Sequence, residues 1–163
     1  MNLPALIKTS AAKHPRATAL VAEEGRFTFE ELVQRASQMA GALLGAGLVQ
    51  GDRVGILFFN GSRFVETYLA RLWAGMVATP LNFRLTPGEL AHLLNDSGAR
   101  AVVFGRGFAP GLSQVADSLQ TPEMFISPGA VGPKPARDYE EFLRQGPAAE
   151  IAVGLNEDTQ AQL

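Results

Sequence analysis

Arg53-Val54-Gly55-Ile56-Leu57-Phe58 is a short apolar run with no polar alternation at its end. A strand of that kind has both faces covered, as in a parallel sheet. Asn60-Gly61-Ser62 breaks the run and offers caps for a helix in which Phe64, Val65, Tyr68, Leu69, Leu72 and Trp73 recur at helical spacing until Gly75. Met76-Val77-Ala78-Thr79 is again short and apolar and is stopped by Pro80. Thr86-Pro87-Gly88-Glu89 has the form of a capping box, Leu90, Leu93 and Leu94 line the helix that follows, and Ala101-Val102-Val103-Phe104 is another buried-type strand. Strand, helix, strand, helix, strand with short connections predicts an α/β fold: a mostly parallel, helix-flanked, doubly wound sheet.

Towards the N-terminus, Asn2 can cap a first helix with Pro4 in its opening turn and Leu3, Leu6 and Ile7 on one face, and Pro15 stops it after His14. Ala19-Leu20-Val21-Ala22 and the return through Phe27 form a short hairpin about Gly25. Thr28-Phe29-Glu30-Glu31 is a second capping box, followed by a long amphipathic helix through Leu32, Val33, Ala36, Met39, Ala40, Leu43 and Leu44 that ends at Gly45 and Gly47. Beyond Gly105 prolines accumulate. Met124-Phe125-Ile126 is a brief strand, 127–135 a breaker-rich loop, and 138–144 a short helix through Tyr139, Phe142 and Leu143.

A length of 163 residues allows one ordinary domain or part of a larger one. With 14 Lys and Arg against 16 Asp and Glu, no positive surplus draws the chain to nucleic acid. The absence of Cys removes disulfide, thiol-nucleophile and Cys-type metal chemistry, and the two histidines, His14 and His92, are far apart. No apolar run approaches the roughly 20 residues that span a bilayer, so a cytoplasmic setting is expected.

Few segments suggest chemistry. Gly45-Ala46-Gly47 with Gly51 follows a helix and reads as a C-cap, whereas Gly105-Arg106-Gly107 with Gly111 follows a strand, where backbone N–H groups could receive phosphate. Pro110 removes a donor there, and an ordinary strand-to-helix loop is the stronger reading. The pairs Glu23/Glu24, Glu30/Glu31 and Glu140/Glu141 read as solvated surface. Arg84, just past the carboxyl end of a strand, could grip a phosphate or instead pair locally with Glu89.

The order of several segments carries more information than any one residue. Phe27-Thr28-Phe29-Glu30-Glu31-Leu32, Gly45-Ala46-Gly47-Leu48, Gly51-Asp52-Arg53-Val54, Phe64-Val65-Glu66 with Trp73-Ala74-Gly75, and Pro80-Leu81-Asn82-Phe83-Arg84-Leu85-Thr86-Pro87-Gly88-Glu89-Leu90 stand in register. Together they resemble the opening region of the adenylate-forming, AMP-binding superfamily, and most of all its acyl-CoA synthetases. Asn95-Asp96-Ser97-Gly98-Ala99 continues the likeness, and 156–163 resembles the entry to the family's phosphate-loop strand.

The resemblance implies a partial AMP-binding domain over 1–163, with its best-matched core at 16–104, a Pro/Gly-rich variable region at 105–155, and a phosphate-loop strand cut short at 156–163. It implies a parent reaction in which a carboxylic acid, ATP with magnesium, and CoA give acyl-CoA, AMP and pyrophosphate. Within these residues it supplies no catalytic group and no metal ligand. Arg84 is placed at CoA and Asn60 at the border of the acyl pocket. The fragment alone is expected to be inactive, to bind no cofactor tightly, and to have a cut sheet edge available for self-association. The alternatives are a stand-alone module for a phosphate-bearing ligand, and a split subunit completed by a second chain.

Overall fold

The structure is a computed structural model that describes residues 3–147. The expected cap at Asn2, the apolar positions Ile151, Val153 and Leu155, and the tail 156–163 lie outside the described residues. Helix α1 (Leu3–Lys13) precedes an antiparallel hairpin of β1 (Thr18–Ala22) and β2 (Gly25–Thr28). Helix α2 (Phe29–Gly45) leads to β3 (Arg53–Leu57), α3 (Ser62–Trp73), β4 (Val77–Pro80), α4 (Pro87–Ser97) and β5 (Ala99–Phe104). The 3-10 turns at Arg106–Phe108 and Ala116–Ser118, the short helix α5 (Ala109–Gln114), β6 (Met124–Ser127), β7 (Ala136–Asp138) and α6 (Tyr139–Gln145) complete the described elements.

Strands β3 to β7 form one parallel sheet in the order β4-β3-β5-β6-β7. Alternate strand residues feed two cores. Val54, Ile56, Ala101 and Val103 pack beneath α2, α3 and α6, while Leu57, Val102 and Phe104 pack beneath α4 and α5. Two covered faces explain why these strands read as continuous apolar runs.

Both capping boxes form. The Thr28 hydroxyl accepts the Glu31 N–H at 3.2 Å, and the Glu31 carboxylate accepts the Thr28 N–H at 2.8 Å. Thr86 and Glu89 repeat the arrangement at 3.4 and 2.8 Å. Gly98, with φ 64°, turns the chain out of α4 in the left-handed region that suits glycine. Thr86→Ala leaves an orphan donor at the start of α4 and is expected to cost about 1 kcal/mol, read as a lower denaturation midpoint at unchanged m-value.

Four expectations need correction. The start of α3 has no side-chain cap from Asn60 or Ser62; instead the Ser62 N–H reaches the Glu24 carboxylate from the hairpin turn, at 3.4 Å. Leu93 points outward, and Leu90, Ala91 and Leu94 carry the buried face of α4. The segment after the breaker-rich loop contains the edge strand β7, too short at three residues to show a periodicity. Glu140 is not simply solvated surface, because Arg35 holds it by two hydrogen bonds of 3.1 and 3.0 Å.

Candidate functional site

From β3 the chain leaves through α3 on one face of the sheet, and from β5 it leaves through α5 on the other. The carboxyl ends of these neighbouring strands are therefore a topological switch point, where open α/β sheets leave a crevice for ligands. A cleft of about 200 Å³ lies there. The loop after β3 lends it Phe58, Phe59, Asn60 and Gly61, and the loop after β5 lends it Gly105, Arg106, Gly107 and Phe108. Arg63 and Phe64 of α3 and Glu23 and Glu24 of the β1–β2 turn complete the lining.

Three rings ride on three different loops. Phe59 lies 5.1 Å from Phe83, which follows β4, and 5.0 Å from Phe108, centroid to centroid. Phe59 is 61% exposed and Phe83 46%, so this is an apolar rim and not core. Beneath it Phe58 meets the buried Tyr139 edge-on at 6.3 Å.

Asn60 is exposed and lines the cleft. Arg84 is also exposed and stands outside it, with its guanidinium 5.5 Å from the Phe83 ring centroid and its N–H bound to the Asn82 side chain at 3.0 Å. It makes no ion pair with Glu89, whose carboxylate is engaged by Thr86. The structure thus brings Asn60 and the Gly105–Gly107 turn into one cleft and sets Arg84 at its outer margin. The Gly105 N–H is already spent on the Leu57 carbonyl at 2.9 Å.

A charged network supports the cleft from below. The Arg35 guanidinium binds both oxygens of Glu66, at 2.7 and 3.0 Å, as well as Glu140, and the Tyr139 hydroxyl donates to Glu66 at 2.8 Å. Glu66 is fully buried. Burial, with the Glu66 charge added, pushes the Tyr139 phenol well up, so it remains a donor. Burial works against the charge on Glu140, but Arg35 and then Arg63 hold its carboxyl below the usual range. Sequence reasoning passed over this network. The available signal was Glu66 itself, an acid four residues after Ser62 and seven before Trp73, on the stripe that faces the core.

Arg84 presents an exposed guanidinium beside Phe83, and among the described residues there is no group of three or more His, Asp or Glu that could hold a metal ion. Among them, too, no helix is long and apolar enough to cross a membrane.

A cleft at the switch point of a helix-flanked parallel sheet defines a doubly wound α/β domain. The chain belongs to the AMP-binding enzyme family, whose profile it matches over residues 7–158. It is 34% identical over 121 residues to a long-chain-fatty-acid–CoA ligase of Thermus thermophilus, covering 74% of this chain and 22% of that protein. It is 31% identical over 134 residues to a 3-hydroxybenzoate/4-hydroxybenzoate–CoA ligase of Thauera aromatica, covering 82% and 26%. An inhibitor-bound N-terminal domain of FACL13 from Mycobacterium tuberculosis superposes with a TM-score of 0.87 at 28% identity, over 98% of this chain and 39% of that one. The chain therefore spans about a quarter of the length of these curated relatives.

Proposed function

We propose that the chain is the sheet-bearing scaffold portion of an ATP-dependent carboxylic acid–CoA ligase. The observation that carries this reading is the match to the AMP-binding enzyme family over residues 7–158. In that reaction the acid's carboxylate attacks the α-phosphorus of ATP and pyrophosphate leaves. The coenzyme thiolate then attacks the acyl carbonyl, and AMP leaves. The first step brings two anions together and needs preorganised donors and a metal to offset their repulsion. Magnesium would supply that charge neutralisation, and the described residues include no cluster to hold it. The scaffold's share is positioning: Asn60 borders the acyl side of the cleft and Arg84 meets the phosphates of CoA. The chain does not catalyse alone, and a cytoplasmic setting suits its substrates.

Two measurements test this. In the ligase that carries this stretch, Arg84→Ala raises KM for CoA about tenfold, the worth of one charge-assisted phosphate contact, and leaves the ATP–pyrophosphate exchange step unchanged. An unaltered KM removes Arg84 from the coenzyme site. The 163-residue chain by itself gives no ATP–pyrophosphate exchange, and exchange by it at an enzymatic rate overturns the scaffold reading.

A further inference from the structure

We propose that Asp138 and Tyr139, at the junction of β7 and α6, are the positioning residues of the switch-point cleft: neither lines it, and between them they fix Phe58, Arg63 and Arg106, which do. The inference rests on the acyl-side reading of that cleft and adds the residues that set its walls.

The walls need support because two of them are loops, with Phe58 in the one after β3 and Arg106 in the one after β5. A site carried on loops holds its geometry only as well as the contacts behind it. Tyr139 is fully buried and opens α6. Its hydroxyl donates to Glu66 at 2.8 Å, and Glu66 is gripped in turn by Arg35, so the far end of the ring is fixed. Phe58 meets that ring edge-on, at 85° and 6.3 Å, and the Arg63 guanidinium lies over it at 5.5 Å. Both are attractive geometries for an aromatic ring. The ion pairs of Arg63 with Glu140 and Glu24 are long, at 3.5 and 4.0 Å, which leaves the ring a large share in placing it.

Asp138 reaches the opposite wall. One oxygen of its carboxylate caps α6, accepting the N–H groups of Glu140 and Glu141 at 3.0 Å each. The other accepts the Gly129 N–H at 2.6 Å. Arg106 rests on that same glycine, for a Cβ added to Gly129 would lie 2.8 Å from Nη1 of Arg106. Two adjacent residues thereby align both walls of the cleft against the start of one helix.

Amide NMR of the 163-residue chain tests the alignment. Tyr139→Leu moves the signals of Phe58, Asn60 and Arg63 and leaves those of α4 in place. Asp138→Asn keeps one oxygen to cap α6 but sets an NH2 group where Gly129 needs an acceptor. It therefore melts within a few degrees of the parent and moves the signals of Arg106, Gly107 and Gly129. Cleft signals that stay put in folded Asp138→Asn overturn the proposal even if Tyr139→Leu does not fold.

The second readout is ATP–pyrophosphate exchange by the ligase that carries this stretch, with palmitate or 4-hydroxybenzoate, whichever the parent adenylates faster. Tyr139→Leu raises KM for that acid about fivefold, the worth of one aromatic pair, and leaves kcat within twofold. Tyr139→Phe restores the ring without the bond to Glu66, so KM returns to within twofold of the parent although the melting temperature stays about 5 °C low. A KM that follows the melting temperature across the two variants makes Tyr139 structural only and overturns its positioning role. Signals that move while KM is unchanged in both Tyr139→Leu and Asn60→Ala support the alignment and remove the cleft from the acyl side.

Discussion

Arg35→Ala lowers the free energy of unfolding by about 3 kcal/mol. Removing one member of a buried ion pair leaves its partner uncompensated, which typically costs about 3 to 5 kcal/mol, and the lower end applies because the Arg35 side chain keeps 26% exposure. Glu66 would be left fully buried with only the Tyr139 hydroxyl to answer its charge. Urea unfolding of both proteins at neutral pH reads the difference directly. The double variant Arg35→Leu with Glu66→Leu loses less than Arg35→Ala, because an apolar pair carries no orphaned charge. If the single variant is as stable as the parent, the network does not hold α2, α3 and α6 together.

The same contacts set the acid limit of the fold. Arg35 holds Glu140 low against the effect of burial, and backbone N–H groups, first that of Glu141, hold Asp138 low. A carboxyl depressed in the folded state stabilises above its unfolded pKa, and that contribution fades as pH falls through the folded value. Stability should therefore be level from neutrality down to about pH 4.5 and decline below it. Arg35→Ala removes the Glu140 share of that dependence, so the variant loses less stability on acidification below about pH 4.5 than the parent does.

Gly146→Ala is the second large effect. A methyl group at this position would collide with the Gln38 carbonyl and lie 2.7 Å from the Ala42 nitrogen, both backbone atoms of α2. Backbone cannot swing aside as a side chain can, so the end of α6 has to lift from α2. Overpacking usually costs about 1 to 3 kcal/mol, and a collision with main chain belongs at the upper end. The expected result is a melting temperature lower by about 5 °C or more for a domain of this size. Faster amide exchange at Phe142 and Leu143 should accompany it, and a melting temperature within one degree of the parent excludes the close α2–α6 contact.

These two results bear on what the sequence could and could not reveal. The sheet was legible from Arg53 to Phe104 because its strands are covered on both faces and α4 between them opens on the paired Thr86 and Glu89 cap. Local chemistry sufficed there. Strand β7 has three residues, Glu140 looks like any surface acid beside Glu141, and Gly146 looks like any helix terminator. The roles of Glu140 and Gly146 depend on partners a hundred residues away, which no window on the chain contains. The site was half legible. Asn60 and the Gly105–Gly107 turn stood out one at a time, but their meeting required the order β4-β3-β5, and the rim of Phe59, Phe83 and Phe108 required three loops at once.

Arg35 and Glu140 are separated by 105 residues of chain. At a synthesis rate of about 5 to 20 residues per second, roughly 5 to 20 s pass between the emergence of the first and of the second. During that interval the apolar stripes of α2 and α3 lack the closing helix that brings Tyr139, Phe142 and Leu143 into their core. During synthesis the apolar faces of α2 and α3 therefore stay uncovered for several seconds, until α6 docks and the Arg35–Glu140 contacts close over them.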